Sequence, residues 1–384
     1  MHRRTAARAT CLVTLLCLAR VAVGVDEPKP TPRDDVSPVL EQLVRKYKVP
    51  GMVGAVIEGD RIVLAGAAGV RRAGGTERIE FTDTLHVGSC TKAMTATLCA
   101  MLVEEGKLSW DTTISKALPE LKGDMHPDYR AVTLEQLLTH RAGLPGDLSA
   151  GQLWGILRNF NGTPVAARRR LVKDVLARPP VHAPGSDFLY SNAGYSTAGH
   201  MIETVTGIGW EELMSRRLFE PLKMSTAGFG PPGKAGRVDQ PRGHSAGGLP
   251  FEPGPFADNP ASIGPSGTVH CSIEDWSKFI ALHLRGARGD ARLLKPDTFA
   301  RLHKPAAGPG DSYAMGWAVA ERDWGGGTVL SHNGSNTLWY AVTWLAPKRN
   351  FAVMVMCNQG GDRAAKATDD ACGALIQAYV KGKH

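Results

Sequence analysis

Several features that would define a class of protein are missing from this sequence. The seven cysteines form no CxxC pair, the twelve histidines form no HxH or HExxH motif, and no Cys/His cluster has zinc spacing. The glycine run at residues 325–327 lacks the Lys-Ser/Thr pair that completes a phosphate-binding loop. We therefore predict no metal and no other cofactor.

Charge of one sign is not in large excess either. The chain has 45 Lys and Arg against 37 Asp and Glu, and its densest basic cluster, residues 168–170, fits a solvated helix face. The sequence therefore gives no reason to expect a nucleic-acid partner. A hydrophobic content of 43% and a charged content of 21% exclude a disordered, collagen-like or coiled-coil protein.

The first 24 residues have the layout of a signal peptide. Three arginines precede an apolar run at residues 11–19, and the small residues Ala22 and Gly24 follow. The run is too short to span a bilayer comfortably, which disfavours an uncleaved membrane anchor. We predict export to the periplasm or the extracellular space after cleavage near Gly24, with a Pro-rich linker at residues 25–35.

Five cysteines would remain after that cleavage. A disulfide is compatible with export, but the odd number and the spacing favour small buried apolar residues. These cysteines are Cys90, Cys99, Cys271, Cys357 and Cys372.

Predicted strands are concentrated near the two ends of the chain, and predicted helices fill the middle. Apolar runs predict strands at residues 51–57, 62–70, 313–319, 327–331, 338–345 and 351–357. Helical spacing predicts helices at residues 38–47 (with Ser37 as N-cap), 93–105, 134–139, 154–160, 166–177, 197–205, 273–284 and 364–380. Residues 228–260 are rich in Gly and Pro and predict a long irregular segment.

This order of elements predicts an α+β fold. An antiparallel sheet would be flanked by the N- and C-terminal helices, and a large, mostly helical insertion would interrupt it. We expect one domain over residues 36–384. Its α/β part would come from residues 36–90 and 264–384, and its helical part from residues 93–263.

The first candidate for chemistry is an S-x-x-K motif, where an extended run turns into a helix. Lys92 follows Ser89 by three residues, which places its amine on the same helix face. A buried lysine has a lowered pKa and can remove a serine proton, and a helix N-terminus supplies N–H groups for an oxyanion. The motif alone is common, and Ser89 could equally be a helix N-cap.

A second candidate is the segment Tyr190-Ser191-Asn192, which precedes another predicted helix. The phenol of Tyr190 could relay a proton, and the amide of Asn192 could hold a substrate carbonyl. The alternative is a buried aromatic residue followed by a loop asparagine.

The third candidate is the segment His332-Asn333-Gly334-Ser335, which lies between two predicted strands. Gly334 would let a backbone approach a ligand closely, and the N–H of Ser335 could be a second oxyanion donor. The alternative is a plain turn, because Asn-Gly is a common turn pair.

Together the three motifs, in this order, resemble those of the serine β-lactamase and penicillin-binding DD-peptidase superfamily, specifically its class C β-lactamase-related branch. The resemblance covers about residues 36–380 and implies a serine hydrolase. Ser89 would form an acyl-enzyme, Lys92 and Tyr190 would share the proton transfers, and the N–H groups of Ser89 and Ser335 would hold the oxyanion. Asn192 and residues 332–334 would position the substrate.

The resemblance implies a small-molecule substrate, namely an ester, a D-amino-acid peptide or amide, or a β-lactam, and is compatible with cell-wall association. Class C β-lactamases begin the third motif with Lys-Thr-Gly, whereas this chain has His332-Asn333-Gly334. A histidine is largely neutral near pH 7, so the site loses a fixed cation for a substrate carboxylate. We therefore expect intact acylation but inefficient β-lactam hydrolysis.

Two alternatives remain at this stage. Residues 243–247 match the G-x-S-x-G nucleophile elbow around Ser245, which would make the chain an α/β-hydrolase esterase, but no strand–helix context surrounds them. The chain could also be a non-catalytic penicillin-recognising binding or sensor module. The joint presence of Ser89, Lys92 and Tyr190 argues against that reading, because binding alone does not need all three.

Overall fold

A computed structural model describes residues 34–148, 152–290, 292–310 and 312–382. The predicted signal peptide and nearly all of the predicted linker lie outside these residues. The strands are β1 (Asp34–Asp35), β2 (Gly51–Glu58), β3 (Arg61–Gly69), β4 (Thr84–His86), β5 (Gly228–Phe229), β6 (Gly243–His244), β7 (Pro250–Phe251), β8 (Val269–Ser272), β9 (Ala318–Arg322), β10 (Gly327–Ser335), β11 (Tyr340–Ala346) and β12 (Phe351–Cys357). The α-helices are α1 (Ser37–Tyr47), α2 (Thr91–Glu104), α3 (Ile114–Ala117), α4 (Leu134–Leu138), α5 (Leu153–Arg158), α6 (Pro164–Leu176), α7 (Asn192–Thr206), α8 (Trp210–Met214), α9 (Gly264–Gly267), α10 (Ile273–Gly286), α11 (Pro296–Leu302) and α12 (Asp362–Lys381).

A seven-stranded sheet joins the two ends of the chain. Its strand order is β1-β3-β2-β12-β11-β10-β9, and every pair except β1 with β3 is antiparallel. Every residue of β12 is buried, because α1 and α12 cover one face of the sheet and α10 packs on the other. A central strand covered on both faces is apolar along its whole length rather than alternating. The predicted α+β fold class is confirmed.

The helical part of the chain is built around α2. All residues from Thr91 to Leu102 are buried, so this helix has no solvent face and is packed by α7, α8, α9 and α11. Beside it, β4, β8 and β5 form a small separate sheet. Residues 228–260 contain three two-residue strands among irregular backbone, as the Gly and Pro content predicted.

The predicted N-cap at Ser37 is wrong. Val36 occupies the cap position, and Ser37 is the first helical residue, with no side-chain cap. The Ser37 hydroxyl instead accepts a hydrogen bond from the Ala67 N–H at 3.1 Å. Its side chain therefore joins α1 to β3.

The strand predicted at residues 313–319 is also largely wrong, because β9 begins only at Ala318. Gly316 has φ +87°, and a Cβ there would lie 2.5 Å from the Ala93 Cα. The Ala314 N–H donates to the Trp317 carbonyl at 2.7 Å, which closes a tight turn. These apolar residues are buried in a turn packed against α2, and such burial produces a strand-like pattern.

All five described cysteines are buried free thiols, which confirms the expectation of small buried residues. Within the described ranges, no helix combines the length and the apolar character that crossing a bilayer requires. Among those same residues, no three His, Cys, Asp or Glu side chains are grouped as metal ligands would be.

Candidate active site

Ser89 lies in a single 3₁₀ turn, Gly88–Cys90, between β4 and α2. Its side chain makes no capping hydrogen bond to α2, so the alternative of a helix N-cap is not what the structure shows. Gly88 has φ +52°, and a Cβ there would lie 2.4 Å from the Ser335 nitrogen. A glycine is required at this position because the third motif crosses the turn in direct contact.

Lys92 is fully buried one turn into the helix from Ser89. Its Nζ lies 3.1 Å from the Ser89 Oγ and donates to the Asn192 Oδ1 and to the Ser266 carbonyl, both at 2.8 Å. Burial holds the pKa of the Lys92 amine well below its usual range. A neutral amine has two N–H donors, which these two carbonyl oxygens accept, so its lone pair is left facing the Ser89 hydroxyl.

Tyr190 completes a hydrogen-bonded group with Ser89. Its phenol is hydrogen-bonded to the serine, and burial of the ring raises the pKa of the phenol well above 10. Its ring centroid lies 4.6 Å from the Lys92 Nζ. A phenol whose pKa is raised therefore lies beside an amine whose pKa is lowered, an arrangement that favours the phenol as proton donor and the amine as proton acceptor.

The segment around Tyr190 is held by a histidine to which the sequence analysis gave no role. The Nδ1 of His140 accepts the Ser191 N–H at 3.0 Å, and its ring lies 4.3 Å from that of Tyr190. Burial lowers the pKa of His140 well below 6.5, which keeps Nδ1 free to accept. Ser191 itself caps α7, so that helix begins at Asn192 rather than at residue 197.

The third motif lies within β10, which continues to Ser335 instead of ending at residue 331. The alternative of a plain Asn-Gly turn is therefore wrong. His332 points to the helical side, and its Nε2 lies 2.9 Å from the Tyr313 hydroxyl. Its Nδ1 lies 2.5 Å from the Asn333 carbonyl. Since a carbonyl can only accept, Nδ1 carries the proton and Nε2 accepts from Tyr313.

Burial, with a smaller contribution from the nearby Lys92, lowers the pKa of His332 to about 3. The third motif therefore contributes no cation at neutral pH. Asn333 alternates to the other face of the strand, where its amide donates to the Tyr340 hydroxyl at 2.8 Å.

Gly334 is the point of closest approach between the first and third motifs. A Cβ on Gly334 would lie 2.1 Å from the Val87 carbonyl oxygen and 2.5 Å from the Ser89 nitrogen. A close approach of a ligand was expected at Gly334, but the backbone preceding Ser89 fills that space. The backbone nitrogens of Ser89 and Ser335 consequently lie on two segments in contact, and we call their N–H groups the oxyanion pair.

A cavity of about 690 Å³ adjoins these residues. Tyr190, His332 and Asn333 form its wall on the side of the motifs, and Phe188, Tyr313, Tyr340 and Trp344 add aromatic surface. The structure brings seven of the eight predicted site residues together around Ser89, whereas the eighth, Asn333, directs its side chain to the other face of β10. It also adds His140, Tyr313 and the Ser266 carbonyl, none of which lies in the three motifs predicted from the sequence.

The G-x-S-x-G match at Ser245 has a different environment. Ser245 follows the two-residue strand β6 and lies in a turn, where its Oγ accepts the Leu249 N–H at 3.2 Å. The adjacent His244 is occupied by the Ala73 N–H at 3.0 Å and the Asn358 carbonyl at 2.6 Å. No helix follows, so a nucleophile elbow is absent from this segment.

Comparison with known proteins identifies the family. The model of the beta-lactamase family matches residues 36–375. The chain belongs to this family and is a serine hydrolase.

Curated relatives extend the likeness over most of the chain. Penicillin-binding protein 4 of Amycolatopsis lactamdurans is 28% identical over 335 residues, which cover 84% of each chain. The unguisins hydrolase ungD of Aspergillus violaceofuscus is 26% identical over 377 residues, and the match covers 85% of this chain but 62% of that protein. The chain thus spans less than two thirds of the second relative.

Solved structures share the fold. The octameric penicillin-binding protein homologue from Pyrococcus abyssi has a TM-score of 0.71 at 23% identity, covering 88% of this chain and 76% of that one. A D-stereospecific amidohydrolase from a Streptomyces species has a TM-score of 0.69 at 23% identity, covering 87% of this chain and 98% of that one.

Proposed function

We propose that this protein hydrolyses small esters and amides, including those of D-amino acids, through an acyl-enzyme on Ser89. The observation that carries the proposal is the buried Lys92 amine, whose two carbonyl acceptors leave its lone pair facing the Ser89 hydroxyl at 3.1 Å. A serine hydroxyl needs such a base to become a nucleophile near neutral pH.

The reaction follows from the arrangement of these groups. Lys92 takes the Ser89 proton as Oγ attacks the substrate carbonyl, and the oxyanion pair holds the negative oxygen that forms. Tyr190 donates its proton to the leaving group as the bond to nitrogen or oxygen breaks, and it is reprotonated through Lys92. Water then attacks the acyl-enzyme by the same steps in reverse, which releases the acid and restores Ser89.

The neutral third motif narrows the substrate class. With the pKa of His332 lowered to about 3, the motif has no fixed cation to pair with a carboxylate. We therefore propose uncharged esters and amides as the preferred substrates over β-lactams and free peptide carboxylates. The structural neighbour described as a D-stereospecific amidohydrolase supports chemistry at D-amino acids.

The proposal is tested with a fluorophosphonate probe and a substrate panel. Peptide mapping should place the label on Ser89, and Ser89→Ala should abolish it, because only that hydroxyl is activated. Ser245→Ala is the matched control and should label like the wild type. Turnover is compared for p-nitrophenyl butyrate, D-alanine p-nitroanilide and nitrocefin, with nitrocefin expected to be slowest.

Other outcomes would favour the alternatives. Label on Ser245 and not on Ser89 would favour the hypothesis of an α/β-hydrolase esterase with Ser245 as its nucleophile. A folded protein that neither turns over any substrate nor becomes acylated would be a binding or sensor module. EDTA should leave the activity unchanged, and its loss would require a metal.

We also propose export after cleavage near Gly24, on the layout of residues 1–24. Expression of the full chain with fractionation and N-terminal sequencing tests this. A mature protein beginning at Met1 in the cytosol would contradict it.

A further inference from the structure

We propose that Asp258 is a positioning residue that sets the spacing of the oxyanion pair, through His86 on one side and Asn336 on the other. The inference rests on the proposed function, because it concerns the same two backbone donors. It assigns a role to a carboxylate, an imidazole and an amide outside the three motifs.

The first arm runs through His86, the last residue of β4. His86 is fully buried, and its Nδ1 accepts the Gly88 N–H at 3.0 Å. An Nδ1 that accepts carries no proton, so the proton is on Nε2. That Nε2 lies 3.0 and 3.1 Å from the two Asp258 oxygens. Asp258 therefore fixes, through one ring, the peptide that directly precedes the Ser89 N–H.

The second arm runs through Asn336, which directly follows Ser335. Its Nδ2 donates to the Asp258 Oδ1 at 2.9 Å and to the Ala257 carbonyl at 3.3 Å. Its Oδ1 accepts the Leu338 N–H at 3.1 Å. The amide is thus held at both ends, and Asp258 also fixes the chain beside the second oxyanion donor.

We call the hydrogen-bonded group of His86, Asp258 and Asn336 the bridge. It is buried, and each of its hydrogen bonds pairs a donor with an acceptor. Asp258, His86 and Asn336 are 6%, 0% and 5% exposed, and the Asn259 N–H adds a third donor to Asp258 at 2.7 Å. A buried carboxylate persists only when donors surround it, and here two of its donors hold the two segments that carry the oxyanion pair.

The bridge adds to a weak direct connection between the motifs. Gly88 and Gly334 meet backbone to backbone, and the hydrogen bond that a motif side chain makes between these two segments is the long one from the Cys90 Sγ to the His332 carbonyl at 3.6 Å. One carboxylate bonded to both sides resists any sliding of one segment past the other. Because oxyanion donors act only at the right distance, small displacements lower the rate of acylation far more than substrate binding.

The test compares Asp258→Ala with a matched control, Asp275→Ala. Asp275 is also a buried carboxylate with several donors, but these belong to Thr226 and Lys278, outside the site. With p-nitrophenyl butyrate, Asp258→Ala should lower kcat about 10- to 100-fold and change KM less than about twofold. The control should keep kcat within about twofold of the wild type.

Phenylboronic acid provides a second readout, because it adds to a serine hydroxyl and forms a tetrahedral anion that occupies the oxyanion pair. Its inhibition constant should rise in Asp258→Ala by a factor similar to the loss in kcat, and should stay unchanged in Asp275→Ala. Asn336→Ala should give the same pattern more weakly, and should add little in the Asp258→Ala background because both act through one bridge.

The outcomes separate the two proposals. If the wild type is not acylated by the ester, the proposed function fails. If the wild type is acylated and a folded Asp258→Ala keeps its kcat, or if Asp275→Ala loses as much, the positioning role is wrong. Should Asp258→Ala not fold, Asp258→Asn and Asn336→Ala decide by the same criteria.

Discussion

At the scale of single residues, the proposed acylation depends on one buried amine, that of Lys92, whose pKa is lowered by burial. The pKa of Lys92 lies well below its usual value of 10.5, since desolvation disfavours the charged form. Among the described residues, the hydrogen-bond partners of the Lys92 Nζ are the Ser89 hydroxyl, the Asn192 amide oxygen and the Ser266 carbonyl, and no carboxylate is among them. Such acceptors stabilise the cation less than a carboxylate would.

This predicts the pH dependence of acylation. Lys92 must be unprotonated to accept the serine proton, so kcat/KM should rise with pH along a limb well below pH 10.5 and then level off. Lys92→Met should lower kcat/KM by several orders of magnitude and remove the limb. The measurement is the pH profile of ester hydrolysis, and near-normal rates in Lys92→Met would exclude this amine as the base.

Tyr313 holds the His332 ring in place. Its hydroxyl is the only donor to the Nε2 of His332 in the part of the chain that the structure describes. Tyr313→Phe leaves this buried nitrogen unpaired, which should cost about 1–3 kcal/mol of unfolding free energy. It should also lower kcat/KM, because the His332 ring loses its anchor.

Tyr129→Phe is the control for Tyr313→Phe. Tyr129 is also buried and donates to the Gly143 carbonyl at 3.2 Å, but it lies outside the site. Urea unfolding and ester hydrolysis are measured for both variants. We expect the two variants to lose a similar amount of stability and only Tyr313→Phe to lose activity. If both variants are equally active, the position of the His332 ring does not depend on Tyr313.

At the scale of elements, the site depends on the crossing of β10 over the turn that carries Ser89. Gly334→Ala would place a Cβ 2.1 Å from the Val87 carbonyl oxygen, which is backbone and can yield only if the whole segment moves. We expect a loss of about 1–3 kcal/mol in unfolding free energy and nearly complete loss of acylation, because the two segments must separate.

Gly373→Ala is the matched control for this substitution. Gly373 lies within α12, and a Cβ there meets nothing within 4 Å. Alanine should stabilise that helix by about 0.5–1 kcal/mol and leave the rate of ester hydrolysis unchanged. Thermal unfolding and acylation kinetics of the two variants provide the comparison. A Gly334→Ala variant with wild-type kinetics would show that the crossing need not be tight.

Some parts of the site and of the sheet could be predicted from the sequence. The three-residue spacing of Ser89 and Lys92 predicted that these two side chains would meet at the beginning of a helix, and the resemblance of the three motifs to the superfamily implied that Tyr190 would join them. The span of β2 and β12 was also predictable, because both are continuous apolar runs.

Long-range partners were not predictable in this way. The Ser266 carbonyl contacts Lys92 across 174 positions of sequence, and Asp258 contacts His86 across 172. Both come from loops or short helices with no periodic pattern. Likewise, the residues of the tight turn before β9 are apolar because they pack on α2. No local preference distinguishes this turn from a strand.

At the scale of the whole molecule, buried neutral histidines couple folding to pH. Burial lowers the pKa of each of six described histidines below the usual 6.5, and so each remains unprotonated in the folded chain as the pH falls. These histidines are His140, His244, His270, His283, His303 and His332.

The sign of the effect follows from proton uptake. Below about pH 6.5 the unfolded chain protonates these histidines and the folded chain does not, so the unfolded state binds more protons and gains stability as pH falls. Their contribution to the unfolding free energy is therefore fully present above pH 6.5 and is lost on acidification, until each folded pKa is reached. We expect unfolding in urea to need less denaturant at pH 5 than at pH 7.

His332 allows a single-residue test of this coupling. Its folded pKa of about 3 predicts that it alone accounts for about 1.6 kcal/mol of the stability lost between pH 6.5 and pH 5. His332→Gln keeps a side chain that can accept from Tyr313 but cannot titrate, so the loss between these pH values should be smaller by about that amount. Asn333→Ala, at the adjacent position, should change the unfolding free energy at pH 6.5 and at pH 5 by the same amount, because neither asparagine nor alanine titrates. If the unfolding free energy of His332→Gln depends on pH as the wild type does, the His332 ring binds a proton in the folded state. The third motif would then supply a cation, and the proposed preference for uncharged esters and amides would lose its basis.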